Sequence, residues 1–482
     1  MNRIILFIHV FFFLVFGLIS VLNHYYFRSA GLDYGIANQA LYQYAHFHSA
    51  DITQLLPART LPYLALHLSL WVPIISPFYY IFGSYTLLIF QNLALIFAGA
   101  GLVKLGKILQ LKDGVLIWVL IQFYVSFAIY AALAFDYHDN VIGACFLPWL
   151  FYYFHKQNSF GTFLCFVGLL ISKENLAIFA GFIAIGMFGM SFKQGKFWRI
   201  FTGSLFCLSI AWFYWAAYIL MPGLNPEAKF EQLNRYSYLG NSLPQMVSYI
   251  LKHPIYMFKL FYTSQVQPDP LEIVKQEFLW VLFLSGGIIF IVRPVFLWMA
   301  LPILMQKLWN KELAFWGISY HYQIELATLI GVAILYYLNT VKKSLVQTVM
   351  AVLLCLSTGI CTYLFMHQRK ADFDPMRENV FKKARYEAPF DINLVQNKIA
   401  QLPAKSKICA QSNLMPHVAN RQKIYHFPYI QDADLILVLQ PQLIAYPLPA
   451  EKAISLLDSL RQSIYWKEDS SAYPLRVFTK VE

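Results

Sequence analysis

Charge is what this sequence has least of. Only 13% of its 482 residues are charged and 59% are hydrophobic, against about 25% charged in a soluble domain. That shortage excludes an ordinary water-soluble globule. Acid is scarcest: the first 366 residues hold thirteen carboxylates. No GxxxxGK[ST] phosphate loop, no GxSxG and no HExxH occurs, which argues against an ATP-driven pump and the commoner hydrolases. The six cysteines include no CxxC spacing, and five fall in apolar runs where a lone thiol is a packing residue.

What is present is a series of apolar blocks from residue 4 to residue 366. A helix needs about 20 apolar residues to cross the hydrocarbon core. The blocks predict an α-helical polytopic membrane protein with eleven spans, over 4–22, 84–103, 114–133, 141–156, 159–172, 176–191, 198–220, 277–292, 294–309, 320–340 and 344–366. The first is long, bulky and aromatic with no small-x-small cleavage site, so it reads as an uncleaved span. The net charge of +12 does not imply nucleic acid. Much of the excess flanks the spans (Arg3, Lys104, Lys107, Lys112, Lys193, Lys196, Arg293, Lys342, Lys343), where Lys and Arg set orientation. This places the N-terminus in the cytoplasm, within a cytoplasmic (inner) membrane.

Residues 1–366 are expected to form the membrane domain, with outer loops at 23–83 and 221–276. Within the first loop, GLDYGIANQALYQYAHFH suits a helix at the interface. Residues 61–82 are apolar enough to span, but Pro73 and Pro77 disturb a regular helix, so this segment is expected at the outer surface. From 367 to 482 the composition becomes soluble. A helix over 391–402, strands over 407–410 and 433–439, a helix over 450–462 and terminal strands predict a small extracytoplasmic α/β domain.

In this topology twelve of the thirteen carboxylates lie on one side, with Asp113 the exception. Ionisable groups near a bilayer tend to mark function, although acid is also simply less useful than Lys and Arg in cytoplasmic loops. Asp33 lies about ten residues past the first span. A carboxylate there can take a proton from a hydroxyl at the membrane surface or cap the helix that follows. In Phe135-Asp136-Tyr137-His138-Asp139-Asn140, Asp and His can orient a substrate, cap a helix or hold a divalent cation, but one turn supplies few ligands, and no cofactor is assigned. Lys173, beside Glu174, breaks the positive-inside pattern; an anionic lipid head group or a local ion pair would account for it. His321 and Glu325, four apart, are expected on one helical face, and His67 is a further candidate of this kind.

The ordered set LDYGIANQALYQYA, HLSLWVPIISPFYYIFGSYTLLIFQNLAL, FDYHDN, LLISKENLAIF and AQSNLMPHVANRQKIYHFP resembles the bacterial predicted-membrane-protein family known as domain of unknown function 2079. That family in turn looks like the GT-C superfamily of membrane glycosyltransferases. The resemblance implies an inverting enzyme that moves a sugar from a polyprenyl-phosphate donor to an acceptor on the extracytoplasmic face. It implies Asp33 as catalytic residue, Asp136 as a second acid and Lys173 near the lipid phosphate, and the surface segment with His67 fits the same layout; His138, Glu174, His321 and Glu325 are candidate substrate contacts from their own positions in the sequence. The sequence departs from the best-known members in that Asp33 stands alone with Tyr34 and is not part of a DxD pair. Two other classes stay open: a transporter or lipid flippase, and a non-catalytic envelope assembly protein. Neither inverted repeats nor midplane charges support the transporter, and eleven spans exceed what an anchor needs.

Overall fold

The computed structural model describes residues 2–56, 59–225, 231–264, 272–368, 379–439 and 446–481. The loop carboxylates Glu227 and Asp269 lie outside the described residues. The chain is mostly helical, with a small sheet near its C-terminal end.

Among the described residues, five helices are long and apolar enough to cross a membrane: Arg3–Tyr25, Trp71–Ile108, Asp113–Ala134, Lys196–Leu224 and Ser344–His367. Shorter apolar helices cover Ser159–Leu170, Leu176–Ser191, Pro294–Leu308 and Ile324–Leu338. The outward faces fit a lipid solvent. Ile4, Leu6, Phe7, Val10, Phe11 and Leu14 are exposed along the first helix, as are Leu345, Val349, Leu353, Leu356 and Ile360 along Ser344–His367. A water-soluble surface rarely carries apolar stripes of that length.

Several expected spans are not continuous helices. Residues 141–156 form two helices, Asp139–Ala144 and Leu147–His155, with Pro148 in the first turn of the second. The stretch 277–292 bends at Gly286, whose φ of +108° only glycine adopts freely. Residues 71–85 break into turns of three to five residues, because Pro73 and Pro77 remove backbone donors. A regular helix resumes at Thr86–Ile108.

The chain divides into two compact units. One comprises residues 1–16, 92–135 and 139–381; the other comprises 17–91, 136–138 and 382–482. The first is the helical bulk, with Leu176–Ser191 packed on Lys196–Tyr214 and Asp113–Tyr124 on Ser344–His367.

The second unit joins the segment that follows the first helix to the tail. The two-residue strands β1 (Asp51–Ile52) and β2 (Leu61–Pro62) pair antiparallel. The tail forms a five-stranded mixed sheet from β3 (Ile408–Ala410), β4 (Ile424–His426), β5 (Leu435–Leu439), β6 (Trp466–Asp469) and β7 (Leu475–Lys480), in the order β4-β3-β5-β7-β6. β3 runs parallel to β4 and β5, while β7 runs antiparallel to β5 and β6. The period-2 alternation of side chains gives the sheet two buried faces. Ile408, Ala410, Leu435, Leu437 and Val477 meet the helix Ile392–Ala400 on one. Cys409, Ile436, Val438 and Phe478 meet Leu457 and Leu460 of the helix Ala450–Gln462 on the other. The helix Ile392–Ala400 starts where Asp391 accepts from the amides of Asn393 and Leu394, at 2.9 and 3.2 Å, which satisfies two otherwise unpaired donors.

The helix Ile36–Ala45 is not the surface-lying element its sequence suggests. Eight of its ten residues are buried, Asn38, Gln39 and Gln43 among them. Its amides are consumed inside the unit. Asn38 donates to the Pro416 carbonyl at 3.0 Å, Gln39 to the Gln422 carbonyl at 3.0 Å, and Gln43 to the Asp51 carbonyl at 2.8 Å.

Candidate functional site

The second unit carries Asp33 on a single π-helical turn, Gly31–Gly35. The turn is held from both ends. The amide of Ala30, just before it, donates to Asp136 at 2.8 Å, and the Gly31 amide donates to the Ser412 hydroxyl at 3.1 Å. At the far end Gln54 donates to the Gly35 carbonyl at 2.9 Å. Both glycines permit this closeness. A Cβ on Gly31 would lie 2.5 Å from the Met415 sulfur and 3.1 Å from the Ser412 carbonyl, and one on Gly35 would lie 2.6 Å from the Gln54 side-chain oxygen. Within the turn Tyr34 is fully buried and its hydroxyl donates to the Ser84 carbonyl. Burial, then the neighbouring Asp136 carboxylate, pushes that phenol well above its ordinary value, so it remains a donor. Asp33 itself is half-buried. It is a partly buried acidic side chain on a fixed backbone.

Asp136, in contrast, has no exposed surface. Its two carboxylate oxygens accept from the Asn23 amide at 2.6 Å and the Ala30 N–H at 2.8 Å. Asn23 in turn accepts from the Arg385 guanidinium at 3.1 Å. Gln91 brackets the same bend, donating to the Asp136 carbonyl at 2.9 Å and accepting from the His138 amide at 2.8 Å. The sequence left this bend open between substrate contact and helix capping. It is buried, with Asp136 in the left-handed region at φ +69° and its acid holding the approach to Asp33. His138 is 9% exposed, and His67 is half-buried at the end of the short helix Tyr63–Leu66.

The tail reaches this region through His417. Its imidazole lies between two rings, His24 at 4.1 Å and 8° and Phe27 at 3.9 Å and 27°. His24 bonds to the hydroxyls of Ser29 and Ser84, at 2.8 and 3.0 Å. The Nε2 of His417 is enclosed without a hydrogen-bond partner. Burial lowers this imidazole to about 3, partly offset by its hydrogen bond to the His24 backbone. The unfolded chain takes up this proton below about pH 6.5, and the fold does so only near pH 3. Acid therefore destabilises the unit across that window, by up to about 1.4 kcal/mol per pH unit, and the loss levels off below it. Amide exchange over residues 411–426, corrected for intrinsic rates, should quicken from pH 7 to pH 5 in the wild type and change less in His417→Phe, where the buried imidazoles of His24 and His426 remain. Equal pH slopes in the two proteins would count against this assignment.

The first unit gathers the other candidates. Asn140 donates to Glu325 at 2.9 Å, and the ammonium groups of Lys173 and Lys307 both act electrostatically on that carboxylate. Lys307 is buried and donates to the carbonyls of Phe315 and Gly317, at 2.6 and 2.5 Å, and to the Gln323 side chain at 3.0 Å. Lys173 is half-buried and Glu174 is buried. His321 and Glu325 do not share a helical face, because the helix begins only at Ile324. Tyr320, at φ +63°, turns the chain just before it. His321 packs against Phe135 at 5.8 Å and Tyr322 at 4.3 Å.

The structure thus places Asp33, Asp136, His138 and His67 in one unit, and Lys173, Glu174, His321 and Glu325 in the other. Sequence reasoning missed Lys307, although a lysine inside an apolar helix is a signal in itself. It also missed Ser412 and Gln54, for which no local pattern exists.

No curated protein matches this chain. Residues 23–462, which take in the turn at Asp33, the buried bend at Asp136, the lysine pair around Glu325 and the tail's His417, match the model of the predicted membrane proteins DUF2079, and the chain belongs to that family.

Proposed function

We propose that this protein is an inverting membrane glycosyltransferase that moves a sugar from a polyprenyl-phosphate donor to an acceptor hydroxyl on the extracytoplasmic face. The observation that carries the reading is the setting of Asp33: a half-exposed carboxylate on a turn pinned at Ala30, Gly31 and Gly35. Catalytic bases gain from such fixed placement. Asp33 takes the acceptor's proton as its oxygen attacks the anomeric carbon. The bond from that carbon to the phosphate oxygen breaks, and polyprenyl phosphate leaves with the electron pair. A phosphate leaves as a stable anion, so no strong general acid is required. Asp136 serves as a positioning residue for the turn. Lys173 is proposed as the ammonium for the lipid phosphate. Glu174, His138, His67, His321 and Glu325 remain substrate-contact candidates, with eleven spans and the N-terminus in the cytoplasm.

The buried lysine and glutamate around Gln323 favour a second reading, transport, since ionisable groups inside a bundle also mark ion or substrate paths. One experiment separates the two. Lipid extracts of a deletion strain are searched by mass spectrometry for an accumulated polyprenyl-phosphate sugar. That extract is then given to the purified protein in detergent with membrane acceptors. A glycosyltransferase converts the accumulated species to polyprenyl phosphate. Detergent abolishes sidedness, so accumulation without conversion would leave transport and end the enzymatic reading.

A further inference from the structure

Arg421 is 4% exposed, and its guanidinium is poorly matched. One nitrogen donates to the Asn420 side chain at 2.7 Å, and another reaches the Leu402 carbonyl only at 3.4 Å, the weak end of the range. Its Nε has no hydrogen-bond partner. Among the described residues no carboxylate pairs with it. The groups that act electrostatically on it are the phenols of Tyr42 and Tyr79, whose rings pack edge-on at 5.5 Å. Neither phenol hydroxyl has a hydrogen-bond partner among the described residues. Both rings are half-buried.

This is an arrangement of donors lacking an acceptor. An unpaired buried charge is strongly destabilising, and arginine stays charged in proteins. The backbone beside Arg421 is fixed, since Gln39 donates to its carbonyl at 3.4 Å and to that of Gln422 at 3.0 Å. Tyr42 lies nine residues beyond Asp33, about two and a half helical turns, so the cluster is separate from the turn that carries the proposed base.

We propose that Arg421, Tyr42 and Tyr79 form a binding site for an oxyanion, a phosphate or a carboxylate carried by a soluble ligand. The guanidinium supplies the charge and the fork geometry suited to such groups, and the two phenols donate to the remaining oxygens. The site does not depend on the glycosyltransferase reading, and its test involves no sugar transfer.

The test is equilibrium binding to the purified full chain, in buffer free of both anions, with inorganic phosphate and glucuronate as separate probes. Saturable binding of either is expected, and the probe that binds identifies the ligand's acidic group. Arg421→Gln should abolish it. Tyr42→Phe and Tyr79→Phe each remove one donor while keeping the ring, and each should weaken binding by about 10-fold or more, as for hydrogen bonds to a charged group. The phenylalanine variants keep the test decisive should Arg421→Gln fail to fold. Absence of saturable binding of both probes to the wild type overturns the site. So does affinity unchanged in the Tyr42→Phe, Tyr79→Phe double variant.

Discussion

Replacing Asp33 by Asn should lower sugar transfer by about 10²- to 10⁴-fold, the range a positioned general base contributes. Asn fills the same space, and the three bonds that fix the turn come from Asp136, Ser412 and Gln54. Expression and thermal stability are therefore expected to match the wild type. Asp33→Glu should retain more activity than Asn, because a carboxylate is kept at the cost of its position. The readout is the initial rate of polyprenyl phosphate release by purified protein. Full activity in Asp33→Asn would remove this residue from the mechanism.

The second large effect is on stability. Asp136→Ala takes the acceptor away from the Asn23 amide and the Ala30 N–H, inside a unit where Asp136, Asn23 and Arg385 are all 0–1% exposed. Arg385 reaches Asp136 through Asn23, so the substitution also strips a negative charge from the neighbourhood of a buried positive one. Breaking such an arrangement from one side costs about 3–5 kcal/mol. Faster amide exchange should appear in residues 17–35 and 382–390 together. Asn23→Ala should show a similar loss, and the double variant should lose less than the sum because the three groups form one network. A loss under about 1 kcal/mol, as for an exposed loop acid, would contradict the geometry.

These two residues show what could be read in the sequence. The aromatic and apolar blocks revealed a membrane protein, and the ordered motifs revealed the family. In the tail, Ala450–Gln462 was legible from end to end, because helical periodicity and flanking prolines are local signals. β3 and β5 were legible as short apolar runs. The partnership of Gly31 with Ser412 was not, since their bond joins positions 381 residues apart, and local spacing carries no information about such pairs. The same limit hid the burial of Asp136. A bend between two apolar runs looks open to solvent until the chain that covers it is known. His321 and Glu325 misled for a different reason: the four-residue spacing has meaning only within a helix, and the helix starts between them.

The composition of the second unit, residues 17–91 with 382–482, has a consequence for biosynthesis. Roughly 290 residues separate its early and late parts, which at 5–20 residues per second is about 15–60 s of translation. Throughout that interval the nascent protein holds Asn38, Gln39, Thr53 and the glycine turn without the tail that later satisfies them. Polar surface of this kind, waiting beside a membrane, is what a chaperone would shield and a quality-control protease would recognise, and a ribosome stalled before the tail would leave it permanently uncovered.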